Sequence, residues 1–143
     1  MKAGIDTTFL IEAEVLEHPR HDKAEAFKKR FLESSNTFAL APQVLEEFIH
    51  IITDEKRFKK PLSIREALYR ANYWWNSIEV EQIFKTDHSV SCFFAWMEQY
   101  RLGRKRILDT MLAATYFSAG VNTVITTNAD NYAVFKGLEV LVP

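Results

Sequence analysis

Apolar residues in this chain fall in short blocks separated by polar breaks, and the spacing inside the blocks switches between two periods. Lys2-Ala3-Gly4-Ile5 runs apolar up to Asp6, and an apolar segment resumes at Phe9-Leu10-Ile11 after Thr7 and Thr8. A short apolar run that ends on a carboxylate and passes at once into a helix-like run reads as a buried strand feeding a helix, here over residues 7–17. His18-Pro19-Arg20-His21-Asp22 breaks that helix. Over residues 23–34, Ala24, Phe27, Phe31 and Leu32 recur at helical spacing among charges, and Ser34-Ser35-Asn36 is a turn signal. Thr37-Phe38-Ala39-Leu40-Ala41 alternates as a strand does. Pro42 suits the first turn of a helix over residues 43–53, whose stripe is Val44, Phe48, Ile51 and Ile52.

Ser63 with Glu66 three residues on resembles a capping box and opens a helix to about Trp75. Ser77-Ile78-Glu79-Val80-Glu81 alternates as a short edge strand. Asp87-His88-Ser89 starts a helix to about Tyr100, and residues 101–106 form a basic connection. Residues 107–119 are a strongly apolar helix, closed by Gly120 at its C′ position. A strand over 122–126, a loop with a short helix over 128–135 and a last strand over 138–142 complete the chain. Strands alternating with helices, without repeat or linker, predict one α/β domain over residues 1–143 with a mostly parallel sheet.

Composition narrows the classes. The chain has 143 residues, 48% hydrophobic and 26% charged, with four Gly and four Pro, which suits an ordinary globular core and excludes low complexity. A net charge of −1 means that no global positive field advertises nucleic acid, so a polyanion must be held by local patches or metal ions. The single Cys92 excludes an internal disulfide and fits a reducing, cytoplasmic setting; in the apolar run Cys92-Phe93-Phe94-Ala95-Trp96 it reads as a buried, inert thiol. Asp6 and Glu12 interrupt the N-terminal apolar run, so no signal peptide is expected, and no uncharged stretch has the length to cross a membrane.

The carboxylates carry the candidate chemistry. Asp6 stands at the carboxyl end of the first strand, where open α/β sheets bind ligands, though Asp is also a favoured helix N-cap. Asp109 sits in Ile107-Leu108-Asp109-Thr110-Met111-Leu112-Ala113-Ala114, and no charged residue follows it until Asp130. A carboxylate in so apolar a segment is paired, bound to a metal, or a partner of the helix dipole; Arg104, Lys105 and Arg106 are the nearby cations. Glu46 and Glu47 lie on the two edges of the stripe in the helix after Pro42, and helical geometry does not choose between them. Thr126-Thr127-Asn128-Ala129-Asp130-Asn131-Tyr132 follows a strand as Asp6 does, and its residue types are also those of ordinary turns. If the first strand is central and the strand from Asn122 is its neighbour, all these acids face one crevice.

Taken together, these segments resemble a PIN domain of the type found in bacterial toxin–antitoxin ribonucleases, the VapC family. Ile5-Asp6-Thr7-Thr8-Phe9-Leu10-Ile11 is similar to the family's opening strand and helix start. Ala41-Pro42-Gln43-Val44-Leu45-Glu46-Glu47-Phe48 is similar to its second motif, in which the acid directly precedes the aromatic residue, and this picks Glu47. Arg106 to Ala114 with Gly120 is similar to the third motif, and Thr126-Thr127-Asn128 with Tyr132 and residues 138–143 to the closing segment. There the family commonly has an acid before the aromatic; here Asn131 precedes Tyr132 and the acid is Asp130, so the fourth donor stays open between Asp130, Asn128 and Asn131.

The resemblance implies a three-layer sandwich with helices on both faces of the sheet. It implies metal-dependent hydrolysis of RNA phosphodiester bonds, with Asp6, Glu47 and Asp109 holding one or two Mg²⁺ or Mn²⁺ ions and Asp130 or Asn128 assisting. Clustered carboxylates raise one another's pKa values unless a cation neutralises them, and hard oxygen ligands suit these ions. Thr7 is expected at the substrate or behind a carboxylate, and Arg104 and Arg106 on RNA phosphates, with Lys56-Arg57-Phe58-Lys59-Lys60 a further basic segment. The aromatics Tyr73-Trp74-Trp75 and Phe93-Phe94-Trp96 are expected to pack in the core or a subunit interface rather than to stack bases. The family further implies a homodimer and a small antitoxin partner. The alternative is a weakened PIN-fold module that binds RNA or protein without cutting, which Asn131 keeps open. A haloacid-dehalogenase-like phosphatase would need an acid where Thr8 stands; the paired acids of a response-regulator receiver are not evident. His18, His21, His50 and His88 show no ligand spacing for zinc.

Overall fold

The computed structural model describes residues 1–143 throughout. In chain order the elements are β1 (Lys2–Ile5), α1 (Thr7–Glu14), α2 (His21–Glu33), β2 (Thr37–Leu40), α3 (Pro42–Ile52), α4 (Ile64–Trp75), β3 (Val80–Gln82), α5 (Asp87–Gln99), α6 (Ile107–Ser118), β4 (Thr123–Ile125) and β5 (Glu139–Leu141). Single 3₁₀ turns at Arg104–Arg106 and Ala129–Asn131 flank α6 and follow β4.

All five strands are parallel and lie in the order β3-β2-β1-β4-β5. β1 is therefore central. The chain winds from it to β2 and β3 on one side, then returns to start β4 and β5 on the other. Right-handed crossovers place the helices of these two excursions on opposite faces. Packing follows the same division. Phe9 of α1, Phe27 and Phe31 of α2, Phe38 of β2 and Trp74 of α4 form one aromatic cluster. Trp96 of α5, Phe117 of α6, Tyr100 and Phe135 form another. The sheet between them supplies short apolar strands with little polar alternation, as strands covered on both faces do.

The expected helices and strands all form, with shifts at their ends that have local causes. α1 stops at Glu14 rather than 17, because Val15 is already extended and the Glu14 carboxylate is held by Arg70 Nη1 at 2.8 Å and Trp74 Nε1 at 2.6 Å from α4. β3 starts at Val80 rather than 77, since Ser77–Glu79 closes a turn in which Val80 N donates to Ser77 O at 3.1 Å. Ser63 caps α4 by accepting from Glu66 N at 3.2 Å. A full capping box instead opens α5, where the Thr86 hydroxyl accepts from Ser89 N and the Ser89 hydroxyl accepts from Thr86 N. Cys92 is half-buried on α5, and burial pushes its thiol up from the ordinary range.

One contact fixes the middle of the molecule. A Cβ on Gly4 would lie 2.4 Å from the Tyr116 ring, so only glycine lets α6 pack this closely on β1. The fully buried Tyr116 hydroxyl donates to Ile5 O at 2.7 Å and accepts from Ala41 N at 3.3 Å. It thereby ties together the carboxyl ends of β1 and β2, the rim on which the acids sit.

Candidate metal and RNA site

The rim is built outward from the end of β1. Asp6 follows Ile5 with extended backbone (φ −87°, ψ 155°) and caps α1, its Oδ1 accepting from Thr7 N at 2.8 Å. β4 lies beside β1 in the register Ile5↔Ile125, which sets Thr126 next to Asp6. The Thr126 hydroxyl donates to Asp6 Oδ2 at 2.6 Å, and Thr8 Oγ1 reaches the same oxygen at 3.3 Å. Asp6 is 4% exposed. Burial, with the Asp109 carboxylate adding to it, raises its pKa from 3.8 to about 6, against the opposing pull of the Thr126 hydroxyl and the Thr7 amide.

Two helix starts bring further acids. α3 begins at Pro42 beside the strand end, and its Glu47 is exposed but accepts from Thr7 Oγ1 at 3.0 Å. Glu46 is exposed and has no partner. Asp109, in the first turn of α6, is half-buried and makes no ion pair with Arg104, Lys105 or Arg106. Its Oδ2 accepts from Asn131 Nδ2 at 2.8 Å and its Oδ1 from the Tyr132 hydroxyl at 3.4 Å. Tyr132 is fully buried, and burial together with Asp6 and Asp109 raises its phenol well above the ordinary range.

Asp6, Thr7, Glu47 and Asp109 thus belong to one hydrogen-bonded and electrostatically coupled group. Thr7 reaches Glu47, so it acts on a neighbouring carboxylate. Asp130 and Asn128 lie on the exposed outer side of the turn, and their side chains make no hydrogen bond within the chain. Asn131 is the residue of this turn that meets Asp109. Arg106 Nη2 donates to Asn131 O at 2.5 Å and to Asp130 O at 3.4 Å, so its guanidinium holds the turn in place, whereas Arg104 is exposed and unpaired. Sequence reasoning missed Thr126 and Tyr132 as partners of Asp6 and Asp109. The signal for Thr126 was present: a hydroxyl residue at the end of an apolar strand that pairs with β1 must flank the residue at the end of β1.

No three His, Cys, Asp or Glu side chains converge tightly as a preformed cation cage. The donor set nonetheless suits a hard divalent ion. Its members are carboxylates and neutral oxygens, no cationic side chain pairs with Asp6, Glu47 or Asp109, and burial, with the Asp109 carboxylate adding to it, raises the pKa of Asp6.

The fold resembles several solved structures over nearly the full length of each chain. VapBC2 from Rickettsia felis, solved bound to a DNA fragment from its promoter, has a TM-score of 0.69 at 17% identity, covering 100% of this chain and 99% of that one. VapC20 from Mycobacterium tuberculosis, described as a sarcin-ricin-loop-cleaving toxin, has a TM-score of 0.68 at 17% identity, covering 92% and 93%. VapBC-1 from nontypeable Haemophilus influenzae has a TM-score of 0.68 at 12% identity, covering 99% and 98%. No curated protein matches by sequence. The PIN domain family model matches residues 4–136, nearly the whole chain and every acid described above, so this chain belongs to the PIN domain family.

Proposed function

We propose that the chain is a metal-dependent endoribonuclease, the toxin of a type II toxin–antitoxin pair. The observation that carries this reading is the buried Asp6 carboxyl with its pKa raised to about 6, beside Asp109 and without a compensating cation. Asp6, Glu47 and Asp109 would hold Mg²⁺ or Mn²⁺, with Asn131, Asn128 or Asp130 as the fourth oxygen donor. A bound ion of this kind supplies water activation and neutralises charge developing on a phosphate. Around it the chain's own residues orient the donors. Thr126 and the Thr7 amide fix both oxygens of Asp6, the Thr7 hydroxyl steers Glu47, and Asn131 and Tyr132 hold Asp109. Arg104 is free to meet an RNA phosphate. Arg106 contributes by holding the Ala129–Asn131 turn.

The VapBC neighbours support a small antitoxin as partner; a second copy of the chain is the other partner of this reading. No helix is long and apolar enough to cross a membrane. A second reading, a PIN module that binds without cutting, is favoured by Asn131, which sets a neutral amide against Asp109. Incubation with cellular RNA and Mg²⁺ or Mn²⁺, with mapping of the new ends, separates the two. Cleavage that Asp6→Asn abolishes supports the nuclease; intact RNA with wild-type protein supports the binding module.

A further inference from the structure

A cavity of about 790 Å³ lies against α1, two residues beyond Asp6, and is not used by the chemistry described above. Its size lies within the roughly 300–1,000 Å³ of clefts that hold small ligands. Thr8 lines the cavity, and its hydroxyl reaches Asp6 Oδ2 at 3.3 Å. Arg57, Phe58 and Lys59, from the basic segment between α3 and α4, also line it. Lys59 has no ion-pair partner, and Arg57 meets only the neighbouring Asp54, at 3.5 Å on the surface.

The rest of the lining mixes apolar residues, Ile11 and Ile51 among them, with polar ones. Thr127 lines the cavity and donates to Glu12 Oε1 at 2.9 Å, while Arg20 Nε stands 3.6 Å from that oxygen. Glu12 is 3% exposed and also lines the cavity, yet its Oε2 has no hydrogen-bond partner in the chain. A buried acceptor without a donor costs free energy and is satisfied by an incoming N–H group.

We infer that this cavity is a nucleotide subsite, which receives one unpaired nucleotide of the RNA adjacent to the bond at Asp6. The inference rests on the ribonuclease reading for the position of that bond, but not for binding itself. Three chemistries that a nucleotide presents meet in this lining. Arg57 and Lys59 supply cations for a phosphate, Phe58 and Pro19 supply apolar surface for a base, and Thr127 with Glu12 offers hydrogen-bonding groups to a base edge. A paired base cannot enter, because its edge and faces are already occupied in the duplex. With a chain net charge of −1, and with Glu12 and Glu17 lining the cavity beside Arg57 and Lys59, phosphate affinity would come from contacts of those two cations rather than from a global or local positive field.

The test is binding in EDTA, so that no ion is bound and nothing is cut. Fluorescence anisotropy would follow a short labelled single-stranded RNA of mixed sequence, and the same RNA annealed to its complement, over a salt series. The Arg57→Ala/Lys59→Ala variant, altered only at surface positions, should bind the single strand about tenfold more weakly, with its salt slope reduced by about one to two. Lys29→Ala, which removes a surface cation of α2 that does not line the cavity, should bind as wild type does. The duplex should bind less well and respond little to the double substitution. Single-strand binding unchanged in the double variant, or a duplex equally dependent on Arg57 and Lys59, would overturn the subsite. Wild-type binding of this kind without any cleavage in Mn²⁺ would remove the nuclease reading and leave the subsite standing.

Discussion

Asp6 and Glu47 are linked through a single threonine but are held in opposite ways. Asp6 sits at the end of the central strand, is buried, and has both oxygens fixed by the Thr7 amide and the Thr126 hydroxyl. Glu47 stands on an exposed flank of α3 with one hydrogen bond, from Thr7 Oγ1. Asp109 lies between these extremes, half-buried and held by Asn131 and Tyr132. The strand end thus supplies a fixed acid whose charge the fold disfavours, and the helix starts supply acids that can adjust. A cation site needs both: a fixed point that sets position, and movable donors that complete the shell. The raised pKa of Asp6 marks the fixed point.

The largest expected effect tests whether the fixed acid is indispensable. Asp6→Asn keeps the shape and the helix cap but removes the buried charge, and should lower RNA cleavage by on the order of 10²–10³-fold, as loss of one preorganised electrostatic group does. Rates at saturating Mn²⁺ measure it. Glu47→Gln should lose less, because an exposed side chain leaves room for water or a neighbouring oxygen to substitute. Equal losses would break the comparison.

The second prediction concerns what makes the strand end rigid. Gly4→Ala would drive a methyl group to 2.4 Å from the Tyr116 ring, whose hydroxyl holds the ends of β1 and β2. The cost should be about 3 kcal/mol, at the upper end for overpacking a core, read as a fall in the urea midpoint. Tyr116→Phe, which leaves the ring and removes the hydroxyl, should cost less, about 1–2 kcal/mol for the carbonyl and amide left unpaired. If Gly4→Ala is neutral, β1 and α6 have slack and Asp6 is less fixed than its contacts indicate.

Much of this was legible in the chain because short-range signals agree with the tertiary structure there. The Asp6 strand end, the Pro42 start of α3, the Ser63 cap and Gly120 after α6 each rest on local backbone chemistry that packing did not override. Gly120 adopts φ +79°, the left-handed conformation a helix stop of this kind uses. The contacts across the rim were not legible. Thr126 meets Asp6 across 120 positions of sequence, and only strand register brings them together. The contacts of Arg106 are of the same kind: its guanidinium donates to the carbonyls of residues 130 and 131. A side chain's direction at a helix start is set by what the next loop offers it, and a pattern of residue types does not contain that. The cavity lined by Arg57 and Lys59 was hidden for the same reason, since its other walls come from α1, the connection after it, α3 and the segment after β4.

A third prediction uses the pKa of Asp6 directly. Between 3.8 and about 6 the folded chain keeps a proton on Asp6 that the unfolded chain has released. In the metal-free protein the Asp6 contribution to stability is therefore fully present below 3.8, declines as pH rises, and levels off above about 6. Asp6→Asn should remove this decline and stabilise the metal-free protein at neutral pH by about 1–2 kcal/mol, a gain smaller than the full shift because the hydrogen bond from Thr126 weakens. Denaturant titrations at pH 4 and pH 7.5 in EDTA measure it. Added Mn²⁺ should reverse the ranking, since only wild type would be stabilised by the ion.

The smallest effect concerns Asn131, where the adjustable side of the rim departs from an all-acid pattern. Its amide donates to Asp109 Oδ2 at 2.8 Å and so lightens the charge that Asp109 adds to Asp6. Replacing that donor with a second carboxylate, Asn131→Asp, puts like charges at hydrogen-bond distance. The metal-free protein should lose about 1 kcal/mol at neutral pH, and the pKa of one of the two acids should rise. The same change adds a hard oxygen donor, so the increase in Tm on adding Mn²⁺ should exceed that of wild type. The two shifts have opposite sign and one cause, which separates them from a general loss of packing, where both states would be destabilised together. If Asn131→Asp lowers stability equally with and without Mn²⁺, Asn131 braces Asp109 and contributes nothing to a cation shell, and the fourth donor lies elsewhere on the turn.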